Sequence, residues 1–179
     1  MNQEERVVLE HRGYMKQAIE IACQNLQRPF GALLVDSREG EVIASAVNRS
    51  YRNPVAHSEL EVIHKAVELN AGDVAWQSTV LYVTAEPCPM CMAGILWTGI
   101  PKVVYGSSMR TLKGLGYRHI AIQAKEMTAA ATGGLICELI GGVLETDCDA
   151  LFAAAMKLER KSKGTTDSGS TDHWGASES

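Results

Sequence analysis

The chain has 179 residues, of which 46% are hydrophobic and 21% are charged, a composition typical of one globular domain rather than a fibrous or disordered chain. Its net charge is −4, of which −3 comes from three acidic residues within 164–179, a stretch that has no Lys or Arg. The rest of the chain therefore carries −1, which argues against a nucleic-acid partner held by long-range charge. No apolar run reaches the ~18 residues of a membrane span and the charged N-terminus lacks a signal core, so we expect a cytoplasmic protein with no membrane partner.

The first part of the chain predicts a helix, a β-hairpin and a second helix. Apolar residues recur at spacings of three, four and seven within residues 5–27, which predicts a helix that ends at Arg28-Pro29. Two short apolar runs separated by a turn, residues 30–36 and 41–47, predict a hairpin. A polar loop follows, and an apolar stripe predicts a helix over residues 56–70. The apolar positions of the first helix are Val8, Met15, Ile19, Ala22 and Leu26.

The second part alternates strands with helices. We predict a central strand over residues 79–84, a helix over 88–97, a strand over 102–105 and a final amphipathic helix over 147–160. Residues 107–140 stay ambiguous because glycines interrupt every periodic pattern there.

This alternation is typical of an α/β fold, a three-layer α/β/α sandwich with parallel strand pairing after the opening hairpin. Residues 1–160 are expected to form this single domain. Residues 161–179 are rich in Ser, Thr, Gly and Asp and poor in aromatic residues, which predicts a disordered C-terminal tail.

Two short segments carry the chemistry, and each begins a predicted helix. Cys88 and Cys91 are three residues apart, so in a first helical turn they share a face, and the helix N-terminus favours their thiolate forms. With the imidazole of His57 they give three zinc ligands and leave one position for water, as in a catalytic zinc site. Glu59, two residues after His57, is then predicted to move the proton of the zinc-bound water.

Two other interpretations of the cysteines account for less of the sequence. A redox-active Cys-x-x-Cys pair is compatible with the proline between them, but it does not explain His57 and Glu59. A closed structural zinc site needs a fourth ligand. The candidates lie in or near apolar stretches, where an isolated cysteine is more often a small buried hydrophobe. These candidates are Cys23, Cys137 and Cys148.

The segment His57-x-Glu59, followed by Pro87-Cys88-x-x-Cys91, resembles the signature of the zinc-dependent cytidine and deoxycytidylate deaminase superfamily. The similarity extends over about residues 13–160 and includes residues 29–32, 81–91 and 100–106. It implies a cytidine-deaminase-like fold whose central mixed sheet has about five strands. It also implies a hydrolytic deaminase that binds one Zn²⁺ per chain and forms a homodimer.

Carried over residue by residue, the resemblance makes His57, Cys88 and Cys91 the zinc ligands and Glu59 the proton shuttle. Asn48 resembles the asparagine that hydrogen-bonds the base, and Phe30 resembles a residue that lines or stacks on the ring. The stretch from Asn48 to His57 is shorter than in the bacterial relatives, so Asn53 remains an alternative to Asn48. Ser58 stands where the family usually has alanine and adds a hydroxyl near the metal.

Within the superfamily, the chain resembles most the branch of bacterial guanine deaminases and tRNA adenosine deaminases. The segments around Met90 and Trp97 favour the guanine deaminases, and Trp97 is taken as a third substrate-binding residue. We therefore expect a small nucleobase, guanine or a related purine, to be deaminated with release of ammonia.

A tRNA-specific adenosine deaminase is the alternative, followed by a cytosine deaminase. The tRNA reading is less favoured but is supported by cations in the last helix that could contact phosphates, namely Lys157, Arg160, Lys161 and Lys163. A protein of another class, an inactive binding module with the deaminase fold, is a further alternative. Glu59 argues against it, because pure binding gives no reason for a carboxylate beside the metal water.

Overall fold

The computed structural model describes residues 2–164, which form six α-helices, a short 3₁₀-helix at Trp76–Ser78 and one five-stranded sheet. In chain order the helices and strands are α1 (Gln3–Ala22), β1 (Gly31–Asp36), β2 (Val42–Val47), α2 (Ser58–Leu69), β3 (Thr79–Ala85), α3 (Pro89–Thr98), β4 (Lys102–Ser107), α4 (Met109–Leu115), α5 (Ala124–Ala130), β5 (Glu138–Ile140) and α6 (Glu145–Gly164). Each predicted strand and helix has its counterpart among them.

The sheet is mixed, with the strand order β2-β1-β3-β4-β5. β1 pairs antiparallel with both β2 and β3, whereas β3, β4 and β5 run parallel to one another. The prediction of parallel pairing directly after the hairpin is therefore wrong for the β1–β3 pair. The crossover through α2 does make β2 and β3 point the same way, but β1 lies between them and opposes both.

Alternating residues of the central strands divide the core into two layers. Ala32 and Leu34 of β1 pack with α2, α3 and the first residue of α5. Leu33 and Val35 pack with α1 and α6 on the other face. Because successive side chains of a strand point to opposite faces, this division confirms the predicted three-layer α/β/α sandwich.

The first helix is shorter than predicted. It ends at Ala22, and Leu26, placed in its apolar stripe, lies beyond it and is 55% exposed. After the helix, the side chain of Asn25 makes hydrogen bonds that hold the chain in a non-helical course. Its Oδ1 accepts from the Arg28 N–H, and its Nδ2 donates to the Asn48 carbonyl. At the other end of α1, Val8 is 56% exposed and likewise lies outside the buried stripe.

The ambiguous segment 107–140 contains α4, α5 and β5. Gly116, with φ of +100°, ends α4 in the left-handed conformation that a residue with a side chain rarely adopts. The last helix continues to Gly164, four residues beyond its predicted end, and the rest of the predicted tail lies outside the described residues. None of the described helices has the length and apolarity that a membrane span requires.

Candidate metal centre and substrate cavity

Two helix N-termini bring the predicted metal ligands together. His57 is the N-cap residue of α2 and Cys88 that of α3, while Cys91 lies in the first turn of α3. The Nδ1 atom of His57 lies 3.6 Å from each of the two sulfurs, and the sulfurs are 3.5 Å apart. Within residues 2–164 no fourth His, Cys, Asp or Glu completes the cluster, so a closed structural site gains no support.

These separations fit a tetrahedral zinc ion. Zinc–sulfur bonds of about 2.3 Å and zinc–nitrogen bonds of about 2.0–2.1 Å place two sulfurs about 3.8 Å apart, and nitrogen and sulfur about 3.6 Å apart. The observed distances agree with both values to within about 0.3 Å. Thiolate and imidazole are donors that zinc prefers, and three of them leave one coordination position open.

The three ligands are linked electrostatically. The hydrogen bond between the two sulfurs, reinforced by one to the His57 imidazole, lowers the pKa of Cys88 to about 4. The same hydrogen bond with Cys88 raises the pKa of His57. Hydrogen bonding to Cys88, followed by burial, raises the pKa of Cys91. The protein without metal thus favours the thiolate form of Cys88. Zinc has to displace protons from the other two groups when it binds.

The carboxyl group of Glu59 lies beside these ligands and is only 6% exposed. Its Oε2 accepts a hydrogen bond of 2.9 Å from the Ser58 hydroxyl. Burial, and then the neighbouring Cys88 thiolate, raises the pKa of Glu59. A carboxyl group whose pKa is shifted toward neutrality can both accept and donate a proton efficiently.

A cavity of about 400 Å³ opens over His57, Glu59 and Cys88. Phe30 forms part of its wall, and the ring of Phe30 is held by Phe152 at 4.7 Å and by Tyr117 at 5.7 Å between ring centroids. The apolar part of the wall also includes Met90, Met109, Leu112 and Ile120. Such a volume, with apolar walls and a few polar groups, is typical of a site for a small organic ligand.

A second cavity, of about 530 Å³, adjoins the first. The two share Phe30, His57, Tyr117 and Arg118. Arginines from three separate segments line the second cavity, namely Arg28, Arg118 and Arg160. Among Lys157, Arg160 and Lys161, the predicted phosphate-contacting cations whose side chains the structure describes, Arg160 alone lines this cavity.

Of the two asparagines predicted to contact the base, Asn48 lies at the site and Asn53 lies on the surface. Asn48 is 4% exposed and lines the second cavity next to His57, and its Oδ1 accepts from the backbone N–H and the hydroxyl of Ser50. The alternative residue, Asn53, is exposed, lines neither cavity and accepts from the Val55 N–H.

Trp97 is not brought to the site. Its side chain is 78% exposed and lines neither cavity. The metal ligands occupy the start of α3, and Trp97 comes nine residues after Cys88, about 13 Å further along the helix axis. The structure therefore places this predicted substrate residue at the far end of α3.

The sequence interpretation missed the role of Glu86, which precedes the metal motif. Its carboxylate is 7% exposed, and it accepts from the backbone N–H of Met109 at 2.8 Å and of Ala124 at 2.9 Å. These are the first residues of α4 and α5, two helices of seven residues that are too short to be stable alone. Glu86 thus fastens the segment that supplies one wall of the cavity.

Replacing Glu86 by glutamine is expected to destabilise the zinc-loaded protein. Glutamine keeps one acceptor oxygen and turns an NH₂ group toward the second backbone N–H, which costs about 1–3 kcal/mol. For a chain of this size that corresponds to a fall in Tm of about 2–12 °C, measurable by scanning calorimetry. Glu138→Gln is the matched control, because its ion pair with Lys102 lies on the surface. Equal, small shifts for both variants would contradict the anchoring role.

Comparison with known proteins gives consistent results. Residues 9–107 match the family model of the cytidine and deoxycytidylate deaminase zinc-binding region. The chain is 33% identical over 155 residues to a tRNA-specific adenosine deaminase of Bacillus subtilis, covering 84% of this chain and 91% of that one. It is also 33% identical over 109 residues to the guanine deaminase of the same organism, covering 58% and 67%. The structure of guanine deaminase from Nitrosomonas europaea superposes with a TM-score of 0.69 at 19% identity, covering 82% and 84% of the two chains, which shows a shared fold.

Proposed function

Because the chain belongs to the family of zinc-binding cytidine and deoxycytidylate deaminases, we propose that it deaminates a free purine base, with guanine as the first choice. The observation that carries this proposal is the cavity over His57, Glu59 and Cys88. Its volume of about 400 Å³ and its apolar walls suit a single small heterocycle. The identity of 33% to a guanine deaminase supports the choice of base.

The residues of the site divide the work of hydrolytic deamination. His57, Cys88 and Cys91 would hold the zinc ion, which when bound would make a water molecule nucleophilic near neutral pH. Glu59 takes one proton from the attacking water and gives it to the ring nitrogen, and it then takes the second proton from the resulting hydroxyl group and gives it to the departing amino group. Water and the amino-substituted base thereby give the oxo base and ammonia.

Two further residues are proposed to orient the base. Phe30 presents a ring whose position is fixed by Tyr117 and Phe152, and such a ring can pack against a flat heterocycle. The Oδ1 of Asn48 is already held by Ser50, which leaves its amide NH₂ group to donate to an acceptor on the base.

A second candidate function is favoured by the arginine-lined cavity. Arg28, Arg118 and Arg160 adjoin the metal site, and guanidinium groups are well suited to phosphate oxygens. The identity of 33% to a tRNA-specific adenosine deaminase over 84% of the chain supports this candidate. Ammonia release by the zinc-loaded protein from guanine, adenine, cytosine, their nucleosides and tRNA separates the two functions.

Charge neutralisation provides a sharper test. If guanine is the substrate, changing Arg28 and Arg160 together to glutamine should leave kcat/KM for guanine nearly unchanged, since these two arginines line the second cavity but not the one over Glu59, and the base carries no phosphate. If tRNA is the substrate, the same variant should bind it less tightly, and the slope of log affinity against log salt should become shallower by about one unit per lost phosphate contact.

The control variant carries the same change of charge on exposed residues of α1 that line neither cavity, namely Arg12→Gln and Lys16→Gln. A loss confined to tRNA and to the cavity variant would establish the second function instead of the first. The homodimer and the cytoplasmic location stay predictions.

A further inference from the structure

The residue between His57 and Glu59 makes a contact that the metal site does not require. Ser58 is the first residue of α2 and is only 1% exposed. Its hydroxyl donates to Oε2 of Glu59 at 2.9 Å. The helix is capped by His57, whose side chain makes no capping hydrogen bond, and the Ser58 hydroxyl is directed to the carboxylate and not to the backbone.

This hydrogen bond distinguishes the two oxygens of the carboxylate. The terminal torsion of a glutamate side chain is broad and roughly two-fold, so the plane of its carboxylate needs a partner to fix it. The length of 2.9 Å is that of an ordinary hydroxyl hydrogen bond, and both groups are shielded from water, where a hydrogen bond is electrostatically stronger than in solvent. The carboxyl group also contacts its own backbone N–H and the Cys91 thiol, and Oε1 is the oxygen that does not accept from the Ser58 hydroxyl.

We propose that Ser58 is a positioning residue for proton transfer, holding Oε2 of Glu59 so that Oε1 is the atom that exchanges protons with the substrate. The proposal rests on the proposed role of Glu59 as proton shuttle. It assigns a purpose to the hydroxyl at a position where alanine would leave the carboxylate without this partner.

Substitution of Ser58 separates positioning from binding. Ser58→Ala is expected to lower kcat about tenfold with little change in KM and with zinc retained, because it weakens an interaction that acts on proton transfer and not on the base. Ser58→Thr keeps the hydroxyl and should recover most of the lost kcat. Unchanged kcat in Ser58→Ala would overturn the proposal.

A matched control is available on β4. Ser107 is 0% exposed, and its hydroxyl also donates to a carboxylate, Oδ1 of Asp149. Ser107 lines neither cavity. Ser107→Ala should therefore reduce thermal stability without a selective loss of kcat, and equal losses of kcat in the two alanine variants would show that Ser58 has a merely structural role.

Two measurements tie the effect to Glu59. In a Glu59→Gln background, Ser58→Ala should cause no further loss of turnover, whereas independent losses that multiply would overturn the proposal. A high-resolution crystal structure of Ser58→Ala should show the Glu59 carboxylate rotated or in two conformers, and an unchanged, ordered carboxylate would also overturn it. The crystal structure needs no substrate, so it tests the contact between Ser58 and Glu59 independently of activity. If the wild-type protein deaminated no base, the proposed function would be refuted, but the crystal structure would still decide whether Ser58 holds the carboxylate.

Discussion

The double substitution Cys88→Ala and Cys91→Ala is expected to yield a protein that binds almost no zinc and releases no ammonia above background. The wild-type protein should hold about one zinc per chain, as three convergent ligands with one open position imply. Removing two of those ligands leaves a single imidazole, which cannot retain the ion during purification. Elemental analysis of the purified proteins measures both stoichiometries.

Other cysteines of the chain supply the control for this prediction. Cys23 is exposed and Cys137 is buried in the core, and neither belongs to the metal cluster. Cys23→Ala with Cys137→Ala removes the same number of thiols and should keep both zinc and turnover. If the Cys88/Cys91 variant retained wild-type stoichiometry, the ligand assignment would be wrong, and with it the whole placement of the substrate cavity.

The clustering of His57, Cys88 and Cys91 could be predicted from the sequence because local structure determines their positions. Cys88 and Cys91 lie at the start of one helix, where a spacing of three residues places both on one face. His57 and Cys88 are both N-cap residues, and the sheet brings the starts of α2 and α3 together. Short apolar runs bounded by turns likewise indicated the strands that position these helices.

The cavity wall could not be predicted, because it depends on contacts between residues distant in sequence. Met109 and Ala124 begin α4 and α5 where the Glu86 carboxylate accepts their N–H groups, 23 and 38 residues away along the chain. Neither seven-residue helix has enough turns to show a clear apolar period. Tyr117 and Arg118 lie between these helices, so their place in the cavity wall was equally hidden.

Trp97 lies away from the cavity, although resemblance predicted a substrate-binding residue there, and the reason is related. Resemblance to a family segment identifies which helix a residue belongs to, but the direction of its side chain depends on what packs around that helix. Met92, Ile95 and Leu96 of α3 are buried in the core, and they leave Trp97 on the outer side. A helix that is apolar nearly all round gives no pattern from which the outer side can be recognised.

Glu59→Gln is expected to fold, to retain zinc, to bind the base or product and to lose at least about 10³-fold in turnover. Glutamine has nearly the shape of glutamate and can still accept the hydrogen bond from Ser58, so the surrounding structure should persist. It cannot accept the proton of the attacking water, nor return protons to the ring nitrogen and the amino group. General acid–base groups typically contribute about 10²–10⁴-fold, and a group used in successive transfers should reach the upper part of that range.

The neighbouring Glu61 offers a control with the same chemical change on the same helix. Glu61 lines neither cavity, and its carboxylate lies 4.0 Å from the Arg49 guanidinium on a half-exposed surface. Glu61→Gln should therefore keep turnover close to that of the wild type. Single-turnover measurements with matched zinc contents separate a loss of chemistry from a loss of binding. Turnover of Glu59→Gln within tenfold of the wild type, with zinc retained, would mean that another group moves the protons, and the buried carboxylate of Glu86, which also lines the cavity, would be the next to test.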